Sequence, residues 1–153
     1  MRVGLQDLAA LNLNWKPRRG DCLSRNEPVG QIVIIVDTSV WIDHLRANDR
    51  QLATQLEQMN VLVLPFVTGE IALGNLRNRK SLIELLQSMP QAVIASEQEI
   101  MLFIEDHRLF GLGIGFIEAH FLASTLLTSG SRLWTRDKRL QNAAHQLGLN
   151  SNL

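Results

Sequence analysis

Gln31-Ile-Val-Ile-Ile-Val-Asp-Thr-Ser-Val-Trp-Ile-Asp-His-Leu45 is the stretch that decides the fold. Residues 31–36 are apolar and β-branched with almost no interruption, the composition of a strand buried on both faces of a parallel sheet. At Asp37 the pattern changes: Thr38 and Ser39 are residue types that cap a helix, and Val40, Trp41 and Leu45 supply its apolar face. Leu52 and Leu56 mark a second short helix, and residues 61–64 are the next apolar run of strand length. Pro65 stands where proline is favoured, in the first turn of a helix that carries Glu70 and runs to about Leu76.

Farther along, Leu82, Leu85, Leu86 and Met89 fall at i, i+3, i+4 and i+7, so residues 81–89 form a helix with one buried stripe, closed by Pro90. The same spacing recurs at Ile100, Phe103, Ile104 and His107, behind Ser96, with Glu99 placed to complete a capping box. It recurs again at Leu140, Ala143, Ala144 and Leu147, stopped by Gly148. Residues 92–95 and 132–135 read as short strands, and Gly111-Leu-Gly-Ile-Gly115 as a flexible loop leading into an apolar helix over residues 116–127. Strands alternating with helices imply an α/β fold, a three-layer α/β/α sandwich with a mostly parallel central sheet.

A chain of 153 residues fits one domain, and 46% apolar with 20% charged residues is the balance of a globular chain, not a disordered one. Residues 1–30 do not share the pattern: they carry Gly4, Pro17, Gly20, Pro28 and Gly30 and a Lys16-Pro-Arg-Arg cluster. They are expected to be a poorly packed extension, or an overcalled start of the reading frame, ahead of a domain over residues 31–153. The longest apolar runs fall far short of the roughly 20 residues that span a bilayer, so no membrane segment is expected. Gln6, Asp7 and Asn12 interrupt any secretory signal, which leaves the cytoplasm as the expected compartment. A single cysteine, Cys22, excludes an intramolecular disulfide and a Cys-rich zinc site. Fifteen basic and fifteen acidic residues cancel, so contact with nucleic acid must rest on local clusters. Candidates are Arg77, Arg79 and Lys80, then Arg132, Arg136, Lys138 and Arg139, although solvated surface charge is the commoner role of any one of them.

In an open parallel sheet, ligands bind outside the carboxyl ends of the strands. Four acids map there: Asp37 ends the first strand, Glu70 follows the second, Glu118 lies just beyond the glycine loop, and Asp137 directly follows the strand around Leu133. Converging carboxylates repel one another and call for a cation, and a hard divalent ion such as Mg²⁺ or Mn²⁺ suits an oxygen-only set. Such an ion can activate water towards a phosphodiester with no nucleophilic side chain. Each acid also has a plainer role. Asp37 and Asp137 occupy helix-capping positions, and Glu70 alone would serve as a solvated helix residue. Glu118 is surrounded in sequence by Phe116, Ile117, Phe121 and Leu122, where a charge needs a partner. His120 is about 200° round the helix from Glu118 and should be a core or interface histidine. Thr38, Ser39 and Thr135 place hydroxyls beside the acids, as caps or as groups that orient a carboxylate.

Together these blocks resemble one known family. Ile35-Val-Asp-Thr-Ser-Val-Trp-Ile-Asp-His-Leu45 resembles the opening strand and helix of PIN-domain toxins of the VapC type, and Val67-Thr-Gly-Glu-Ile-Ala-Leu-Gly74 resembles the helix with their second acid. Gly113-Ile-Gly-Phe-Ile-Glu-Ala-His-Phe-Leu-Ala-Ser124 resembles the block with the third, and Leu133-Trp-Thr-Arg-Asp-Lys-Arg-Leu140 the fourth. The resemblance covers residue 31 to the C-terminus. It implies a Mg²⁺-dependent endoribonuclease, with Mn²⁺ as a substitute ion, that cuts structured RNA such as tRNA or ribosomal RNA. It further implies a homodimer held inactive by a small antitoxin. On this resemblance the metal ligands are Asp37, Glu70, Glu118 and Asp137, supported by Thr38 or Ser39 and by Thr135, with Arg77, Arg79, Lys80, Arg136, Lys138 and Arg139 as RNA contacts. One departure stands out: the third acid is more usually aspartate, and Glu118 is longer by a methylene. A catalytically silent RNA- or protein-binding module of the same fold is the alternative. A phosphatase of the haloacid-dehalogenase type would need a second aspartate two residues after Asp37, where Ser39 stands.

Overall fold

The computed structural model describes residues 32–153, so the expected extension over residues 1–30 lies outside the described residues. β1 (Val33–Val36) pairs in parallel with β2 (Val61–Leu62) on one side and with β3 (Ser131–Trp134) on the other, giving the order β2-β1-β3. The register sets Ile34 opposite Val61 and Arg132, and Ile35 opposite Leu62 and Leu133. Ile34, Ile35 and Val36 are all buried. Successive strand side chains point to opposite faces, so both faces of the central strand are covered, which is why the apolar run shows no alternation.

Seven helices occupy the described residues: α1 (Thr38–Ala47), α2 (Arg50–Glu57), α3 (Pro65–Leu73), α4 (Arg79–Ser88), α5 (Glu97–Asp106), α6 (Phe116–Leu127) and α7 (Lys138–Gln146). The step from β1 to β2 runs one way across the sheet and the step from β2 to β3 runs back past β1. Right-handed crossovers in opposite directions place helices on opposite faces, and the expected three-layer α/β sandwich results. Trp41 from α1, Leu52 from α2, Leu86 from α4, Ile100 from α5, Phe121 and Leu122 from α6 and Leu140 from α7 all enter one buried cluster with the strands. Caps fix where helices begin. Ser96 and Glu99 form the expected capping box on α5: the Ser96 amide donates to Glu99 at 2.7 Å, and these bonds hold the Glu99 carboxyl below its ordinary range. No helix among the described residues is long and apolar enough to cross a membrane.

Three local expectations are corrected. α3 ends at Leu73, not near Leu76, because Gly74 takes an extended conformation (φ −75°, ψ 152°). Residues 92–95 form no strand: pairing there shrinks to a single bridge between Val63 and Gln91, beyond which Val93 and Ile94 are exposed. His107 does not continue the buried stripe of α5; it caps the helix in an exposed position, its ring 4.5 Å from that of Phe103. At the opposite sheet edge the chain adds a bridge that its polar composition conceals. The Leu133 amide donates to Leu149 at 2.7 Å and the Ser151 amide to Leu133 at 2.8 Å, so the C-terminal residues lie in parallel beside β3.

Candidate active site

The carboxyl edge of the sheet is organised around Asp37. Its backbone amide donates to Trp134 at 2.9 Å, tying the ends of β1 and β3 together, and its side chain is buried as the N-cap of α1. Oδ2 accepts three hydrogen bonds, from Ser39 Oγ at 2.6 Å, from Thr135 Oγ1 at 2.9 Å and from the Ser39 amide at 3.3 Å. Oδ1 accepts none from the described residues, so one oxygen is held and the other is unengaged. Thr135 Oγ1 also accepts from the Asp137 amide at 3.0 Å, joining both aspartates through one hydroxyl. Thr38 takes no part: its hydroxyl is buried without a hydrogen-bond partner among the described residues, and of the two adjacent candidates Ser39 gives the support.

Asp137 caps α7 through Oδ1, which accepts from the Arg139 and Leu140 amides, both at 2.9 Å. Capping therefore holds for both aspartates, and it leaves Asp37 Oδ1 and Asp137 Oδ2 without a bond among the described residues. Glu118 lies in the first turn of α6, where the positive end of the helix dipole favours a carboxylate. It folds back over Gly115: a Cβ there would stand 2.5 Å from Glu118 Oε2, so the glycine makes the room the carboxylate occupies. Of its apolar sequence neighbours, Ala119, Phe121 and Leu122 are buried while Phe116 is exposed, and Glu118 itself is half-buried. Glu70 is exposed on α3.

Neighbouring elements meet at this edge. Phe66 of α3 and His120 of α6 pack with ring centroids 4.8 Å apart, and Arg139 Nη1 donates to the Gly113 carbonyl at 3.2 Å, tying the glycine loop to the first turn of α7. Asp37 and Asp137 are thus brought together through Thr135, while Glu70 and Glu118 stand on adjoining helices. Among the described residues, no group of three or more Asp, Glu, His or Cys side chains forms a ready-made metal cage. Mg²⁺ does not require one, since it keeps several waters and is commonly held by one or two carboxylates plus substrate phosphates. The donors are oxygens only, with one oxygen unengaged on each aspartate, and that chemistry fits a hard divalent ion.

The basic residues divide. Arg136 donates to Asp43 at 2.5 Å and also pairs with Asp49, Arg139 holds the glycine loop, and Arg79 Nε donates to the Ala72 carbonyl at 2.5 Å. The side chains of Arg77, Lys80 and Lys138 make no hydrogen bond or ion pair among the described residues. The Asp43 bond, with Asp49 adding to it, raises the Arg136 pKa above its ordinary value. Partial burial works against ionisation of Asp49, but the Leu52 amide, the Arg136 guanidinium and the Gln51 amide outweigh it and hold the carboxyl below its usual range. Burial lowers the pKa of His44, against the opposing effect of its Nδ1 bond to the Asp49 carbonyl at 3.1 Å. His120 is buried as expected, between Phe66 and Phe116, and burial lowers its pKa too. The sequence does not mark Asp43 and Asp49 as part of the site. Asp49 is legible there as a helix cap, but nothing local announces a partner 87 positions away.

Fold and site together define a class: a small parallel α/β domain that presents carboxylate oxygens beyond the carboxyl ends of its strands. No family model matches the chain. It is 40% identical over 117 residues to the Mycobacterium tuberculosis protein named ribonuclease VapC32, in strains CDC 1551 and H37Rv, an alignment that covers 76% of this chain and 94% of that protein. The chain belongs to the VapC family of ribonucleases.

Proposed function

We propose that this chain is a Mg²⁺-dependent endoribonuclease, the toxin of a toxin–antitoxin pair. The observation that carries the reading is its 40% identity across 94% of a protein named as a ribonuclease. The hydrogen bonding of Asp37 supports it: three donors fix Oδ2 and leave Oδ1 for a ligand. Asp37, Glu70, Glu118 and Asp137 would hold the ion, with Mn²⁺ able to replace it. Bound there, the ion would supply an activated water and offset the charge that gathers on the phosphate. Ser39 and Thr135 keep the Asp37 carboxylate in one orientation, and the capping amides of Arg139 and Leu140 do the same for Asp137. Both devices lower the reorganisation needed at the moment of reaction. Of the basic candidates, Arg77, Lys80 and Lys138 remain available to meet phosphate, since their side chains have no ion pair among the described residues. The partners that go with this role are an RNA substrate, a cognate antitoxin and a second copy of the chain, in the cytoplasm.

Purified chain, free of antitoxin, is incubated with total RNA in Mg²⁺ or Mn²⁺ and with chelator. Cleavage that needs the ion and is abolished in Asp37→Asn is the expected result. Intact RNA under every condition, from folded protein, would overturn the enzyme reading in favour of a silent binding module.

A further inference from the structure

We infer that Arg136 is a positioning residue for the carboxylate site and not an RNA contact, an inference that rests on the metal-dependent reading above. By sequence Arg136 belongs to a basic cluster suited to a polyanion. In the structure its guanidinium is engaged at the surface by two acids: Nη1 donates to Asp43 Oδ2 on α1 at 2.5 Å, and Nη2 donates to Asp49 Oδ2 at the N-cap of α2. Two carboxylates against one guanidinium leave the trio at −1, which repels phosphate. The acids are themselves held. Asp49 Oδ1 accepts from the Gln51 and Leu52 amides at 2.8 and 3.0 Å, and its carbonyl accepts from buried His44.

The backbone of the same residue reaches the site. The Arg136 amide donates to Ser39 Oγ at 3.1 Å, and that hydroxyl donates onward to Asp37 Oδ2 at 2.6 Å. Thr135 and Asp137 flank Arg136 on the same short loop, one bonded to Asp37 and the other a proposed ligand. One side chain therefore pins the β3–α7 loop to two helices, and the loop in turn sets Ser39, Thr135 and Asp137. Arginine suits this work because its planar fork fixes direction at two acceptors, which an ammonium cannot do. A surface ion pair adds little to stability, so the expected consequence of losing it is misplacement of the site, not unfolding.

The test uses the full chain and two readouts besides stability: Mn²⁺ affinity by calorimetry without RNA, and kcat and KM for RNA cleavage. Arg136→Ala should bind Mn²⁺ roughly tenfold more weakly or worse, the range seen when groups that orient metal ligands are lost. Its kcat should fall while KM for RNA stays within about twofold. Arg136→Lys should recover only part of the loss. Unchanged Mn²⁺ affinity with a raised KM would overturn the inference and make Arg136 an RNA contact. Asp37→Asn separates the levels: if it loses Mn²⁺ while Arg136→Ala keeps it, this inference alone fails. If the wild-type chain binds no Mn²⁺ and Asp37→Asn alters nothing, the metal reading fails and takes this one with it. Should Arg136→Ala not fold, Asp43→Ala and Asp49→Ser each remove one carboxylate of the clamp, the serine keeping a cap for α2; weakened Mn²⁺ binding supports the inference, and wild-type affinity in both overturns it.

Discussion

Two threonines of the site should respond in opposite ways to the same change. Thr135→Val deletes a buried hydroxyl that donates to Asp37 Oδ2 and accepts from the Asp137 amide. A hydrogen bond to a charged group contributes about 1.5–3 kcal/mol, and a neutral one about 0.5–1.5 kcal/mol. Ser39 still donates twice to the same oxygen, and water can replace the bond at exposed Asp137, so both contributions belong at the low end. Their sum is about 2 kcal/mol, which for a chain of this size lowers the melting temperature by roughly 4–8 °C. Thr38→Val removes a hydroxyl that is buried with no partner among the described residues. Its desolvation is already incurred, so an apolar side chain of the same shape should leave stability unchanged or raise it by up to about 1 kcal/mol. Denaturant unfolding of both variants, in metal-free buffer at neutral pH, reads the difference. Equal effects, or a Thr135→Val change below about 0.5 kcal/mol, would refute the assignment of Thr135 as the hydroxyl joining the two aspartates.

Other perturbations follow from the same geometry. Gly115→Ala suits its backbone (φ −90°, ψ 179°) but sets a methyl 2.5 Å from Glu118 Oε2, so the fold should survive and the carboxylate should move. Unfolding is expected to change by less than about 1 kcal/mol while RNA cleavage falls roughly tenfold or more; unaltered cleavage would remove Glu118 from the site. The lowered pKa of His44 has a fixed sign in stability. As pH drops below the ordinary value of 6.5 the unfolded chain takes up the proton first, so stability present above 6.5 is lost towards the lower folded value. His44→Gln should flatten that slope between pH 7.5 and pH 5.5, and an identical slope in the variant would contradict it. Asp49, lowered from 3.8, adds its own loss only in more acid solution. Ser96→Ala should cost about 1 kcal/mol through its capping box and leave cleavage untouched, as checked by melting and by activity.

The features legible in the sequence are those fixed by neighbours along the chain. The unbroken run ending at Val36 shows a buried central strand, Pro65 shows where α3 starts, and Ser96 with Glu99 shows the start of α5. Features fixed across the chain were not. The single bridges at Gln91 and Asn150 depend on which segments border the sheet: Val93 and Ile94 give residues 92–95 a strand-like composition without a strand forming, and the polar residues around Asn150 give no strand signal at all. In the candidate site, Asp37 and Asp137 and the hydroxyls of Ser39 and Thr135 that surround them are legible because each sits where a strand gives way to a helix, whereas Glu70 lies inside α3 and is exposed. The choice of Ser39 over Thr38 is not legible, since both hydroxyls follow Asp37 and only the turn into α1 decides which one reaches Oδ2. The sequence shows only the charge of Arg136, and its engagement by Asp43 and Asp49 arises from contacts 93 and 87 positions apart.

Crystals of the chain soaked in Mn²⁺ give the most direct measurement, because anomalous scattering locates the ion without reference to activity. The ion is expected within coordination distance of Asp37 Oδ1, on the side away from Ser39 and Thr135. A fully occupied Mn²⁺ bound elsewhere, or none near Asp37 at saturating concentration, would contradict a carboxylate metal site at this edge of the sheet.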